Sequence, residues 1–175
     1  MRKRRLWLVA GVVALVLVAA GMWYFAPYKL FVNRTVNETL PTAAAGSPSD
    51  QADPGPVLLA KGTFVSHEHA TKGSVQIVRR ADGSRVLTIR DLDTTNGPDL
   101  RVWLTDQKVV RGSAGWHVFD DGAYVELGRL KGNRGDQAYA IPKQLDLGKY
   151  RSVTIWCKRF SVSFGAAELT RAEPM

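Results

Sequence analysis

Twenty consecutive residues, Leu6 to Phe25, read LWLVAGVVALVLVAAGMWYF and carry no charge. A helix of that length is about 30 Å long, the thickness of a bilayer's hydrocarbon core. Four cations, Arg2-Lys-Arg-Arg5, precede it. Basic flanks stay cytoplasmic, so the rest of the chain is predicted beyond the cytoplasmic membrane, N-terminus inside. Trp23, Tyr24, Phe25 and Tyr28 suit the outer interface as an aromatic belt. The rival is a cleaved signal peptide, with Val18-Ala-Ala20 before Gly21 as the processing site. The apolar run continues past that site and exceeds the ~7–15 residues usual for a signal, which favours a retained single-pass anchor in membrane lipid.

This span divides the chain. Residues 1–5 are a basic stub, 6–25 the anchor and 26–40 a membrane-proximal segment with a helical turn expected after Thr35. Residues 41–56, PTAAAGSPSDQADPGP, are small, Pro-rich and without apolar period, as in a flexible linker. Residues 57–175 form the extracytoplasmic domain. Asn33-Arg-Thr and Asn37-Glu-Thr are formal glycosylation acceptors, relevant only in a host that glycosylates exported chains.

The formal charge of +8 splits into +3 over residues 1–56 and +5 over residues 57–175. Much of it is thus an orientation signal. The other cations are dispersed, and no nucleic acid is expected as a partner.

Within the domain the pattern is β: short, β-branched and aromatic runs between turn residues. Strands are expected at 62–69, 74–80, 85–91, 100–105, 124–130, 137–141, 152–157 and 161–164. Ala81-Asp-Gly-Ser84 reads as a hairpin turn. Asn96-Gly-Pro-Asp99 and Lys131-Gly-Asn-Arg-Gly135 read as further turns. The predicted fold is all-β, an antiparallel sandwich or barrel of about eight short strands behind one transmembrane helix.

Cys157 is the only cysteine, so no disulfide can form within the chain. In an extended strand Val153, Ile155 and Cys157 share one face and Thr154 and Trp156 the other. The thiol is therefore in phase with an aliphatic pair and points inward, as a buried core cysteine would. The opposing reading is a thiol activated by Lys158 and Arg159, whose cations can lower its pKa. Alternation returns Arg159 to the thiol side.

Ser66-His-Glu-His69 places His67 and His69 on one strand face, about 7 Å apart, as a weak candidate metal or haem pair. His117 reads as a loop hydrogen-bonder. A copper site of two histidines and a cysteine lacks a suitable axial methionine, since the chain has only Met1, Met22 and Met175. Asp120-Asp121 lacks the spacing of a calcium loop. No acid–base pair or nucleophile–base spacing is visible, so no catalytic residue is assigned.

Several stretches together resemble the DM13 domain family: Gly62-Thr-Phe64, Asn96-Gly-Pro-Asp-Leu-Arg-Val-Trp-Leu104, Leu127 to Pro142, and Val153 to Leu169 around Cys157. The membrane-proximal Pro27-Tyr-Lys-Leu-Phe31 and Val36 to Pro41 resemble its membrane-anchored bacterial type. The resemblance implies electron transfer, with the cysteine as redox group, either as a bare thiol or as ligand to a cofactor such as haem. On that reading His69 is the second candidate group, and Trp156, Trp103 and Arg159 flank the site. A lone exported thiol cannot close an internal disulfide, so it needs a redox partner protein or a small thiol. The alternative is a non-redox binding or scaffold module with Cys157 in its core.

Overall fold

A computed structural model describes residues 2–41 and 55–172. Most of the linker predicted at 41–56 lies outside them. Helix α1 (Arg2–Phe25) is long and apolar enough to cross a membrane, with a mean hydropathy of 2.4, and buries none of its residues against the rest of the chain. A short 3-10 turn, Pro27–Phe31, follows.

Among the described residues, eleven strands make two sheets. They are β1 (Thr35–Asn37), β2 (Val57–Thr63), β3 (Val65–Ser66), β4 (Lys72–Arg79), β5 (Arg85–Asp93), β6 (Leu100–Thr105), β7 (Tyr124–Arg129), β8 (Arg134–Ile141), β9 (Ser152–Cys157), β10 (Val162–Glu168) and β11 (Thr170–Arg171). One sheet runs β1-β8-β5-β4-β2-β11, the other β3-β10-β9-β6-β7. The alternating inward residues of both close a common core: Val75, Ile77, Leu87 and Ile89 from one, Val102, Leu104, Val153 and Ile155 from the other. The sandwich expected from short alternating strands is present. Strands β6 and β9 have the predicted bounds. β8 begins earlier, at Arg134, because the Arg134-Gly135 end of the expected turn pairs with β1 and β5.

Sheet β3-β10-β9-β6-β7 is covered on both faces. Every residue of β9 is buried. Its outer face carries Trp103 and Trp156, covered by Phe119 with Val109 and Val118 from the long β6–β7 connection.

The helical turn expected after Thr35 is instead a strand. β1 pairs in parallel with β8, Thr35 opposite Arg134 and Asn37 opposite Asp136. Buried Asn133 fixes the approach. Its Oδ1 accepts the Arg34 N–H at 2.7 Å, and its Nδ2 donates to Asn33 Oδ1 at 2.8 Å and to the Thr94 carbonyl at 2.7 Å. These directional contacts outweigh weak local helix preference, which the β-branched Thr35 and Val36 do not strengthen. Downstream, Lys131 Nζ bonds both Glu38 oxygens, at 2.7 and 2.9 Å. The membrane-proximal segment thus adds a strand to the sheet.

The hydrogen bond from Lys131 holds the Glu38 carboxyl below its ordinary value of 4.5. A depressed carboxylate contributes stability fully above 4.5 and loses it as pH falls through the lower folded value. β1 is therefore expected to loosen in acid. The amide exchange of Glu38, whose N–H donates to the Asp136 carbonyl at 3.0 Å, should quicken there. The pair is partly exposed, so the effect is local and small.

Candidate functional site

Cys157 ends β9 on the inner face, paired with Leu100 of β6 and Val162 of β10. The phase read from Val153 and Ile155 is observed, and the thiol is fully buried in the inter-sheet core. Just beyond it the chain reverses through Lys158–Ser161. Phe160 N–H donates to the Cys157 carbonyl at 3.2 Å, and Lys158 N–H to the Asp99 carbonyl at 3.0 Å. Burial pushes the thiol up from its ordinary value of 9.0, and the Glu68 carboxylate adds to that. Opposing both, the nearby backbone of Phe160, Asp99 and Arg159 lowers it in part. A buried sulfur whose pKa is raised is not an exposed thiolate.

The cations at Lys158 and Arg159 do not activate it. The turn breaks the alternation that would return Arg159 to the sulfur. Its guanidinium lies 5.0 Å from the Tyr24 ring centroid and donates to the Tyr24 carbonyl. Lys158 Nζ lies 3.7 Å from Glu126 Oε2. This end of the sandwich also meets α1. Phe25 stacks on Phe160 at 6.0 Å, Lys29 Nζ donates to the Pro98 carbonyl at 3.3 Å, and Asn96 Nδ2 donates to the Val32 carbonyl at 3.0 Å.

The histidines do not share a strand face. β3 stops at Ser66, and the chain bends through residues 67–69. His67 stacks on Phe119, on the outer face of its sheet, at 5.6 Å. His69 lies 4.0 Å from Phe164, in the inter-sheet core that holds Cys157. Both nitrogens of His67 are engaged. Nε2 lies 3.1 Å from the Val110 carbonyl, which only accepts, so Nε2 carries the hydrogen. Nδ1 then accepts from Ser163 Oγ at 2.8 Å, which lies 2.8 Å from Thr154 Oγ1. This is a satisfied buried histidine, and neither nitrogen is free for a metal. His117 Nδ1 donates to the Ser161 carbonyl at 2.6 Å, in keeping with a loop hydrogen-bonder.

Burial lowers the His67 pKa below its ordinary 6.5. Below 6.5 the unfolded chain takes up a proton that the folded one refuses, so stability should fall as pH drops through that value. Urea midpoints across that range should show the fall. His67→Gln, whose amide can meet both partners, should reduce it.

Trp103 and Trp156 lie on the sheet face opposite the thiol. Because Trp103 pairs with Thr154 and Glu126, Trp156 and Tyr124 are its diagonal neighbours on that face. The rings form a continuous series. Tyr124 and Trp103 stack at 4.0 Å and 7°, and Trp103 and Trp156 at 5.1 Å and 28°. Phe119 meets Trp156 edge-on at 6.3 Å. Trp103 Nε1 donates to Glu126 Oε2 at 3.3 Å, and Glu126 Oε1 accepts from Arg101 at 2.6 Å. Sequence reading missed Phe119 and Glu126, and it placed Tyr124 only among the turns, core or contact surface of a scaffold module. The Tyr124/Glu126 alternation on a strand next to Trp103 was the available signal for Glu126.

Among the described residues no three His, Cys, Asp or Glu side chains group around a metal position. A haem ligated by Cys157 does not fit this packing, since the sulfur is sealed by Leu100, Val162 and their neighbours. A cleft between Leu59, Leu147, Tyr150 and Leu169 has about 20 Å³ of room, and a wider groove of about 360 Å³ runs along Lys61, Ser74, Gln76 and Glu168; Cys157 lines neither.

A family model described as electron transfer DM13 matches residues 63–169, from the end of β2 to just beyond β10. No curated protein and no solved structure matches the chain.

Proposed function

The chain belongs to the DM13 family, and from that premise we propose that it is an electron-transfer module held at the outer face of the cytoplasmic membrane, with Cys157 as its redox group. The family match supports the electron-transfer role. The observation that carries Cys157 is its position: the chain's one sulfur ends β9 where the β9–β10 turn meets the Asn96–Asp99 loop, tied by the Lys158 N–H donating to the Asp99 carbonyl at 3.0 Å. The protein's own part is to exclude water and hold the sulfur in place. A partner, protein or small molecule, supplies and removes the electrons.

In this reading α1 anchors the chain, with its basic stub inside and the domain outside. The Lys158–Ser161 turn and the Asn96–Asp99 loop pack on the segment leaving α1, so the thiol end of the sandwich lies nearest the lipid.

One observation favours the scaffold alternative: complete burial with the pKa raised is also what an inert core thiol shows. Voltammetry of the full chain in supported bilayers separates the two. A wave present in the wild type and lost in Cys157→Ser supports the redox thiol. A wave unchanged by the substitution moves the redox group elsewhere. Absence of any wave, with the fold intact, favours the scaffold.

A further inference from the structure

A sealed thiol raises a question of access. A nucleophile must touch its target, whereas an electron needs only a chain of adjacent orbitals. We propose that Tyr124, Trp103 and Trp156 form such a chain, a one-electron relay from the surface of β7 to the residue bonded to Cys157, with Glu126 as proton acceptor for Trp103. The proposal rests on the electron-transfer reading and adds the route and the entry point.

Three features together exceed what packing requires. The rings form one diagonal across three neighbouring strands, so the strand pairing sets their order and spacing. It is open at one end only: Tyr124 is 44% exposed, while Trp103 and Trp156 are 2% and 1% exposed. The indole N–H of buried Trp103 meets a carboxylate. Oxidising an indole makes its N–H strongly acidic, so a carboxylate at 3.3 Å is a ready base. Arg101 holds Glu126 in place through the other oxygen, leaving Oε2 toward the indole and Lys158.

The step balances as follows. An outer-sphere one-electron oxidant at the Tyr124 surface removes an electron from Trp103 through the stacked phenol ring. The N–H bond of Trp103 breaks heterolytically, and its proton passes to Glu126. The products are the reduced oxidant, a neutral indolyl radical and a carboxylic acid. An electron from a one-electron donor outside, with return of the proton from Glu126, restores the starting state, whereas an electron from Trp156 restores Trp103 and moves the oxidised site to Trp156.

The test is flash photo-oxidation of the full chain in lipid nanodiscs, using a ruthenium polypyridyl complex with a sacrificial quencher. Transient absorption reads the radical. A neutral indolyl radical is expected in the wild type. It should persist in Cys157→Ser, so failure of the thiol reading leaves this result standing. It should be lost in Trp103→Phe, which keeps a ring in the stack, with near-ultraviolet circular dichroism as the check on folding. Glu126→Gln should yield the protonated radical cation in place of the neutral species. An undiminished neutral radical in Trp103→Phe would place the oxidation at another tryptophan, such as Trp116, and overturn the relay. An undiminished neutral radical in Glu126→Gln would overturn the role of Glu126.

Discussion

Cys157 in the folded full-length chain is expected to alkylate only as fast as the domain opens. The side chain has no exposure, and its neighbours Leu100, Val153, Ile155 and Val162 belong to the same core. Its pKa is raised, mainly by burial, so little thiolate exists in the folded domain. For a stable domain the open fraction is small, and labelling should be suppressed by about 10³-fold or more relative to the unfolded chain. The measurement is iodoacetamide labelling followed by intact mass, against pH and with and without urea. Suppression relieved at the unfolding midpoint is the expected result. Fast labelling with a midpoint below 9.0 would mean that the turn at Lys158–Ser161 opens by itself and exposes an activated thiolate. The expected result leaves electron transfer through bonds and stacked rings as the thiol's way of acting. The faster result restores thiol exchange with a partner.

The period of two is a strong physical signal wherever one face of a strand is buried. That is why Val153, Ile155 and Cys157 are inward as alternation requires, and why β6 and β9 carry the bounds predicted for them. The same rule fails at its edges. Arg159 and the His67–His69 pair both lie where a strand has ended, and a turn reassigns each side chain to a new direction. Alternation cannot show where pairing stops, because pairing depends on a partner distant in the chain. Sharing of space by Trp103, Trp156 and Tyr124 depends on the order β9-β6-β7, which no local pattern encodes. The sealing of the outer face by Phe119 follows from the long β6–β7 connection folding back over the sheet, a tertiary event again. A thiol in a stretch flanked by cations therefore looked activatable in sequence, while the fold sends one cation to Tyr24 and the other to Glu126.

The parallel strand β1 was the least legible element, and it leads to the second large effect. Lys131-Gly-Asn-Arg-Gly135 reads as a turn, and its composition fits one. In the fold it receives β1. Gly135 has φ +90°, and a Cβ there would lie 2.2 Å from the Val36 carbonyl oxygen. A Cβ on Gly132 would lie 2.4 Å from the Arg34 carbonyl oxygen. Both glycines leave space for another backbone, and Asn133 supplies the hydrogen bonds between them. Asn133→Ala strands the buried Thr94 carbonyl and the Arg34 N–H, each costing about 1–3 kcal/mol if left unpaired. The chain can recover part of this by releasing β1 to water, so a loss of about 2–4 kcal/mol is expected. Gly135→Ala should release β1 by steric exclusion, since nearby backbone rather than a flexible side chain blocks the methyl. Hydrogen exchange resolves the two contributions. In both variants the Glu38 amide should lose protection while the amides of β4 and β5 keep theirs. If Glu38 stays protected in both, β1 is not held by this motif. If protection is lost throughout, β1 is part of the cooperative core. The segment leaving α1 would then be a structural strand of the domain and not merely its attachment to the membrane.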